Sequence, residues 1–332
     1  GRVAVTYENG TPWSSVHAYG GSRVNGDVVG GGGAGTVYLK RDSATYGDLT
    51  VGNGDRLYAN YTDQVTTASQ TFASITVKSA AKYRVPSGFT LTLAAGGTFT
   101  GGGTQQSSLT VASGGTFTPA GATSFTFNDV DVDLDGTVTT VTDLTIRDCS
   151  FDHDGNLSAT VTNLTFGPGS GASYFYHNGT GFDDDDLVIG NSGTFVAETS
   201  AYTGLASLTV QSTGTFQQKH ASTIAVGTLA VQSGGTLTHA ANTTTKANVL
   251  DVSATDVTVE GTVSADGFGY AASEGAGQGA DRAYWDGGSG GGYGGMGGDN
   301  GGTLAGGAAY GDVDQPDDLG SGEPECLRES RA

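Results

Sequence analysis

Leu187, Leu208, Leu229 and Leu250 stand 21 residues apart, and each is followed two positions later by Ile189, Val210, Val231 or Val252. After the first three, a glycine comes at the sixth position (Gly193, Gly214, Gly235) and a bulky apolar residue at the eighth (Phe195, Phe216, Leu237). Apolar residues two apart share one face of a strand, and the glycine lets the backbone turn before the next inward residue. The same offsets recur at Leu91/Leu93/Gly97/Phe99 and at Leu109/Val111/Gly115/Phe117, with looser versions at Leu49/Val51, Ile75/Val77, Leu144/Ile146 and Leu164/Phe166. A fixed period of this kind marks stacked repeats, each too small to bury its own apolar face.

The pattern predicts an all-β chain: a right-handed parallel β-helix (β-solenoid) with coils of about 21 residues and a glycine-rich loop region. Pairs such as Phe125/Phe127 and Ile224/Val226 would supply a third strand per coil, and about ten coils at roughly 4.8 Å give a length of roughly 50 Å. After Val252 the phase slips by one residue to Val257/Val259, which reads as a bulge or a change of coil shape. The expected divisions are 1–47 (short strands and Gly-rich loops), 48–266 (solenoid) and 267–332 (a Gly/aromatic-rich flap and an acidic tail). In 267–311, glycine is interleaved with Phe268, Tyr270, Tyr284, Trp285, Tyr293 and Tyr310, which suits either a flexible linker or an ordered flap with packed aromatics.

Composition narrows the function. Glycine accounts for 58 of 332 residues, and 14 Lys and Arg face 34 Asp and Glu, for a net charge of −20. Nucleic acid and anionic membranes need a basic footprint that is missing here, and no apolar run is long enough to span a bilayer. Cys149 and Cys326 form no metal-ligand spacing and fix neither redox compartment nor pairing. His17, His153, His177, His220 and His239 are scattered; His220 and His239 lie 19 apart, out of step with a 21-residue coil. The chain begins with neither Met nor a signal-peptide pattern and reads as a mature form or an excerpt.

The sharpest chemical pattern is Asp129, Asp131, Asp133 and Asp135 followed by Gly136. Its part from Asp131 to Gly136 matches the first half of a calcium loop but lacks the bidentate Glu, since Thr142 stands at position 12. Asp148, Asp152 and Asp154, then Asp183 to Asp186, follow on later coils. Aligned carboxylates on neighbouring strands repel one another, and a hard cation would relieve them. Asp129, Asp131, Asp133, Asp135, Asp152 and Asp154 are therefore the candidate calcium ligands, against the simpler reading of a solvated acidic face. Arg147 with Asp148, Asp152 and Asp154 is the one cluster worth nominating for catalysis, and no other cofactor site or enzymatic activity is expected. Sequons at Asn9, Asn60, Asn156, Asn163, Asn178 and Asn242 offer glycosylation sites if the protein is exported.

The leading GRVAVTYENG, GGGGAGTVYLK, the LTV-x-SGGTF units and GGAAYGDVDQPDDLGSG resemble the glycine-rich β-solenoid repeats of large exported prokaryotic surface proteins, adhesin-like and autotransporter-passenger-like. The resemblance covers most of the chain but not the tail from Glu323 to Ala332. It implies export to the cell surface or extracellular space and a structural or adhesive role, with no catalytic residue to carry over. The expected function is that of an extracellular rod or filament subunit associating end to end. The alternative is an adhesin, or a β-helix module that binds or cleaves carbohydrate and so takes surface glycans as partners.

Overall fold

The computed structural model describes residues 1–10, 16–20, 32–55, 60–64, 69–121, 123–139, 141–157, 161–167, 172–180, 185–190, 192–198, 204–280, 288–301, 304–312 and 318–322. Among these there is no helix; the chain is strands and loops throughout. It divides into two compact units. One comprises Gly1–Phe216, Ile224–Thr236 and Val252–Thr262, and the other Gln217–Thr223, Leu237–Asp251 and Val263–Ala332.

The first unit is a parallel β-solenoid, within a fold of about eight turns of about 23 residues each. Its register is carried by columns of inward side chains. On the first sheet Leu49, Ile75, Phe99, Phe127, Ile146, Phe166, Ile189, Val210, Val231 and Val259 sit one above the next. All but Val259 are buried. On the second sheet the column is Tyr83, Leu109, Val132, Phe151, Phe175 and Phe195. Here Phe151, Phe175, Phe195 and Phe216 form a stack with successive centroid distances of 5.1, 5.1 and 5.5 Å and nearly parallel rings. A third side is built by Leu91, Phe117, Val138 and Leu157.

The even sequence spacing predicts coils of one length, but the coil length varies. That spacing holds for Ile189 to Val210 to Val231, whereas the step from Phe127 to Ile146 is shorter and the step from Phe99 to Phe127 is longer. Corner loops absorb the difference, because only inward columns must align for the core to pack. The fourth expected copy also fails, since Val252 pairs with Ile224, while Val257 and Val259 align with Leu229 and Val231. Of the two expected readings, the slip is therefore the change of coil shape, a longer coil, and not the bulge.

The five motif copies are one local device used at three different corners. Leu187/Ile189 lie on the first sheet and Phe195 on the second; Leu109/Val111 lie on the second and Phe117 on the third side; Leu91/Leu93 lie on the third side and Phe99 in the first column. The residue that turns the chain is the fifth after the leader, not the glycine at the sixth. Gly96, Gly114, Ser192, Thr213 and Gly234 all have φ between 60° and 83°. The sixth-position glycine serves close approach instead. A Cβ on Gly97, Gly115, Gly214 or Gly235 would come within 2.5 to 2.8 Å of a backbone carbonyl of the preceding coil.

The first sheet has two edges. At one, Arg2–Tyr7 runs parallel to Gly35–Arg41, which is in turn antiparallel to Asp48–Gly52, the strand that starts the parallel stack. These two strands thus extend the sheet. At the other edge lies Val252–Val259, with Val257 59% and Val259 46% exposed although both stand in the core columns. A recess of about 540 Å³ opens near the start of the stack, lined by Arg2, Tyr38, Leu49, Gln64, Phe72 and Tyr83.

The second unit holds the glycine-rich block. Of its six expected aromatics, Tyr284 and Trp285 lie outside the described residues, as does Cys326. Tyr293 and Tyr310 meet edge to face at 5.3 Å, and Tyr270 donates a hydrogen bond to Asp318. Backbone bonds such as Gly297 N–H to Gly307 O and Gly307 N–H to Gly290 O tie the segments together. A Cβ on Gly297, Gly306 or Gly307 would lie within 2.0 Å of a facing carbonyl, so these contacts admit only glycine. The described part is an ordered, hydrogen-bonded block rather than a flexible linker.

Candidate functional site

The outward face of the second sheet gathers the polar chemistry of the first unit. Alternation along Asp131–Leu134 and Ser150–His153 turns Val132, Leu134 and Phe151 inward and the aspartates outward. Parallel register then builds a ladder of Arg84, Thr110, Asp133, Asp152 and Tyr176. A second ladder begins with Lys82, Ser108 and Asp131 and includes the neighbours Ser150 and Tyr174.

Asp133 and Asp152 stand directly side by side, as the alternating pattern predicted. Partial burial raises the pKa of both carboxyls, and their neighbours add to it: Asp135 and Asp154 act on Asp133, while Asp154, Asp133 and Glu198 act on Asp152. Thr110 Oγ1 donates to Asp133 Oδ2 at 3.4 Å. Asp131 is held differently, its Oδ1 accepting from Gln106 Nε2 at 3.0 Å and from the Ser150 N–H at 2.8 Å.

The remaining sequence candidates are spread out. Asp129 takes a corner with φ 57°. Asp135 lies at the opposite corner, and Asp154 accepts from Asn178 Nδ2 at 3.2 Å. Among the described residues, no group of three or more His, Cys, Asp or Glu is arranged to hold one metal ion. Arg147 belongs to the first sheet, where its Nε donates to Asn128 Oδ1 at 2.8 Å and lies 3.7 Å from Asp148. It does not join Asp152 and Asp154, so the nominated catalytic cluster does not assemble. Of Asp183 to Asp186, the first two lie outside the described residues, and Asp186 accepts from Ser207 Oγ.

Aromatic residues complete the face. Tyr61 is 42% exposed, with the Arg84 guanidinium 4.8 Å and the Lys82 ammonium 6.0 Å from its ring centroid. Arg84 also makes a two-pronged pair with Asp63 at 2.7 and 2.9 Å. Two coils beyond Asp133, Tyr174 and Tyr176 lie side by side, their centroids 6.4 Å apart and their planes within 11°. A groove of about 290 Å³ is lined by Tyr61, Lys82, Thr110, Asp131, Asp133 and Asp152, and its last residues, Ser150 and Asp152, are the strand neighbours of Tyr174 and Tyr176. The alternation Tyr174-Phe175-Tyr176 could have flagged these rings, since Phe belongs inside and Tyr outside.

Reading the spacing as constant also hid a histidine pair. His153 and His177 lie 24 apart and align inside the second sheet, with their Nδ1 atoms 2.9 Å apart and their rings stacked at 4.9 Å. Both are buried, and His153 Nε2 has no hydrogen-bond partner. Burial, with the His177 ring beside it, pushes the His153 pKa down to about 3. Cys149 is a buried free thiol pushed up to about 12 by burial, a state unsuited to nucleophilic chemistry. Among the sequons, Asn242 is buried and spends its amide on bonds to Asn248 and Phe268 carbonyls and to the Ala247 and Asn248 N–H groups, which leaves no room for a glycan.

In comparisons with family models, characterised proteins and solved structures, nothing matches this chain.

Proposed function

We propose that the protein is an extracellular structural element, a β-solenoid rod that associates head to tail through the two ends of its first unit. The observation that carries this reading is the mismatch between the columns and their ends. Hydrocarbon lines the inward columns of the first sheet, yet Val257 and Val259 stand in register with buried Leu229 and Val231 and are themselves exposed. Near the opposite end, the first coils leave an apolar-floored recess of about 540 Å³ between Tyr38, Leu49, Phe72 and Tyr83. Two different unfinished surfaces favour a heterologous contact, which propagates instead of closing. Edge strands with unpaired backbone groups at both ends add a template for pairing.

The test is light scattering and negative-stain microscopy across a concentration series, with Val257→Lys and Val259→Lys as variants. Particles should lengthen with concentration, and either charge should stop them lengthening while leaving the melting temperature nearly unchanged. Monomers at all concentrations, or unaltered growth in both variants, would overturn the reading.

A further inference from the structure

We infer that the outward face of the second sheet, from Tyr61 to Tyr174 and Tyr176, binds a linear oligosaccharide of neutral or amine-bearing sugars.

A repeating surface suits a repeating ligand. The six strands from Thr62–Asp63 to Ser173–His177 place one outward residue of each ladder at every inter-strand step, a run of roughly 24 Å at roughly 4.8 Å per step. Side chains along the run change from cation and aromatic (Lys82, Arg84, Tyr61) through hydroxyl (Ser108, Thr110) and carboxylate (Asp131, Asp133, Asp152) to aromatic again. Tyr174 is 42% exposed and its ring lies parallel to that of Tyr176, an aromatic pair that offers apolar ring surface together with polar hydroxyls. A sugar ring has the matching character, with an apolar C–H face and an equator of hydroxyls. Hydroxyls donate well to carboxylates, which are acceptor-only when ionised.

Other polymers fit worse. Three carboxylates in the groove repel a phosphodiester or polyuronate chain. An extended peptide gains most of its affinity by adding to a sheet edge, whereas the strands from Lys82–Val85 to Ser173–His177 already pair on both sides within the sheet. Amine-bearing sugars gain further from Asp133 and Asp152, which stand side by side and share a repulsion that a bound ammonium would relieve.

The site adjoins the recess at one end of the stack through Tyr61 and Arg84, so it is tested on the full chain carrying Val257→Lys, a change at the other end that removes association and its avidity. Calorimetric titration uses three probes: a neutral cello-hexaose, an amine-bearing glucosamine hexamer and a galacturonate hexamer. One or both of the first two should bind and the third should not. Tyr174→Ala with Tyr176→Ala should weaken binding at least tenfold, and Asp152→Asn should weaken the glucosamine hexamer more than the neutral one. Tyr46→Ala, an exposed tyrosine outside the groove, should leave binding unchanged. Thermal melts confirm that each variant folds. Failure of both favoured hexamers to bind, preference for the galacturonate, or equal losses at Tyr46 and Tyr174 would overturn the assignment. None of these outcomes bears on head-to-tail association.

Discussion

At the scale of single residues, burial sets two opposite pH responses within one sheet. His153 is neutral inside the fold, whereas an unfolded histidine binds a proton near pH 6.5. The unfolded chain therefore binds more protons between about 6.5 and 3, and stability present above pH 6.5 is lost as the pH falls through that window. Replacing His153 and His177 together by leucine should flatten this part of a plot of melting temperature against pH. An unchanged slope would show that the pair titrates no differently folded and unfolded. Asp133 and Asp152 behave inversely, because their folded pKa values are raised. Their stabilising protonated form is present at acid pH and lost as the pH rises through the raised values, leaving repulsion at neutrality. Asp152→Asn should therefore raise the melting temperature at pH 7 and cease to do so below the ordinary carboxylate range near 3.9. If calcium relieves the same repulsion, it should raise the wild-type midpoint at pH 7 and move the Asn variant less, measured against chelator. The carboxylate ladder was legible from alternation alone, because Asp alternates with Val132 and Leu134 on one strand and with Phe151 and His153 on the next. The histidine pair was not, because its alignment depends on the length of the corner between the two residues.

At the scale of the element, the unit that repeats is a corner. Its leading apolar pair, left-handed fifth residue, tight sixth residue and inward eighth residue join any side of the coil to the next. Local spacing made this device readable, but nothing local says which corner a copy occupies, since that depends on how many residues came before it. Two glycines that look interchangeable in the sequence have different duties. Gly234 adopts φ 83°, whereas Gly235 lies where a Cβ would meet the Val210 carbonyl at 2.6 Å and the Gln211 carbonyl at 2.9 Å. Thr213 shows that the fifth position tolerates a side chain, with its Oγ1 accepting from the Ser192 N–H at 3.0 Å. Gly235→Ala should accordingly cost about 1–3 kcal/mol, the range for overpacking a tight site. Gly234→Asn should cost less, since Asn enters the left-handed region readily. Denaturant melts of the two variants check the order, and a reversed order would mean that the turn, not the coil-to-coil contact, limits the corner.

At the scale of the whole molecule, the solenoid was legible because its core is one-dimensional: each column needs only an apolar residue of the right parity in each coil. The coil length was less so. Short steps such as Phe127 to Ile146 and long ones such as Phe99 to Phe127 keep one register because the loops, not the strands, take up the slack. The outward face of the second sheet was half legible, its aspartates visible as a run and its tyrosines separated from them by a full coil. The glycine-rich block obeys a different rule, with order that rests on backbone meeting backbone at distances no side chain permits. Apart from the single bridge between Tyr293 and Gly295, its described residues belong to no strand, though their amides are tied to carbonyls across the block. A far-ultraviolet dichroism spectrum, which counts strands and helices, would record this region as coil. Amide hydrogen exchange, which counts sequestered N–H groups, would record it as structure.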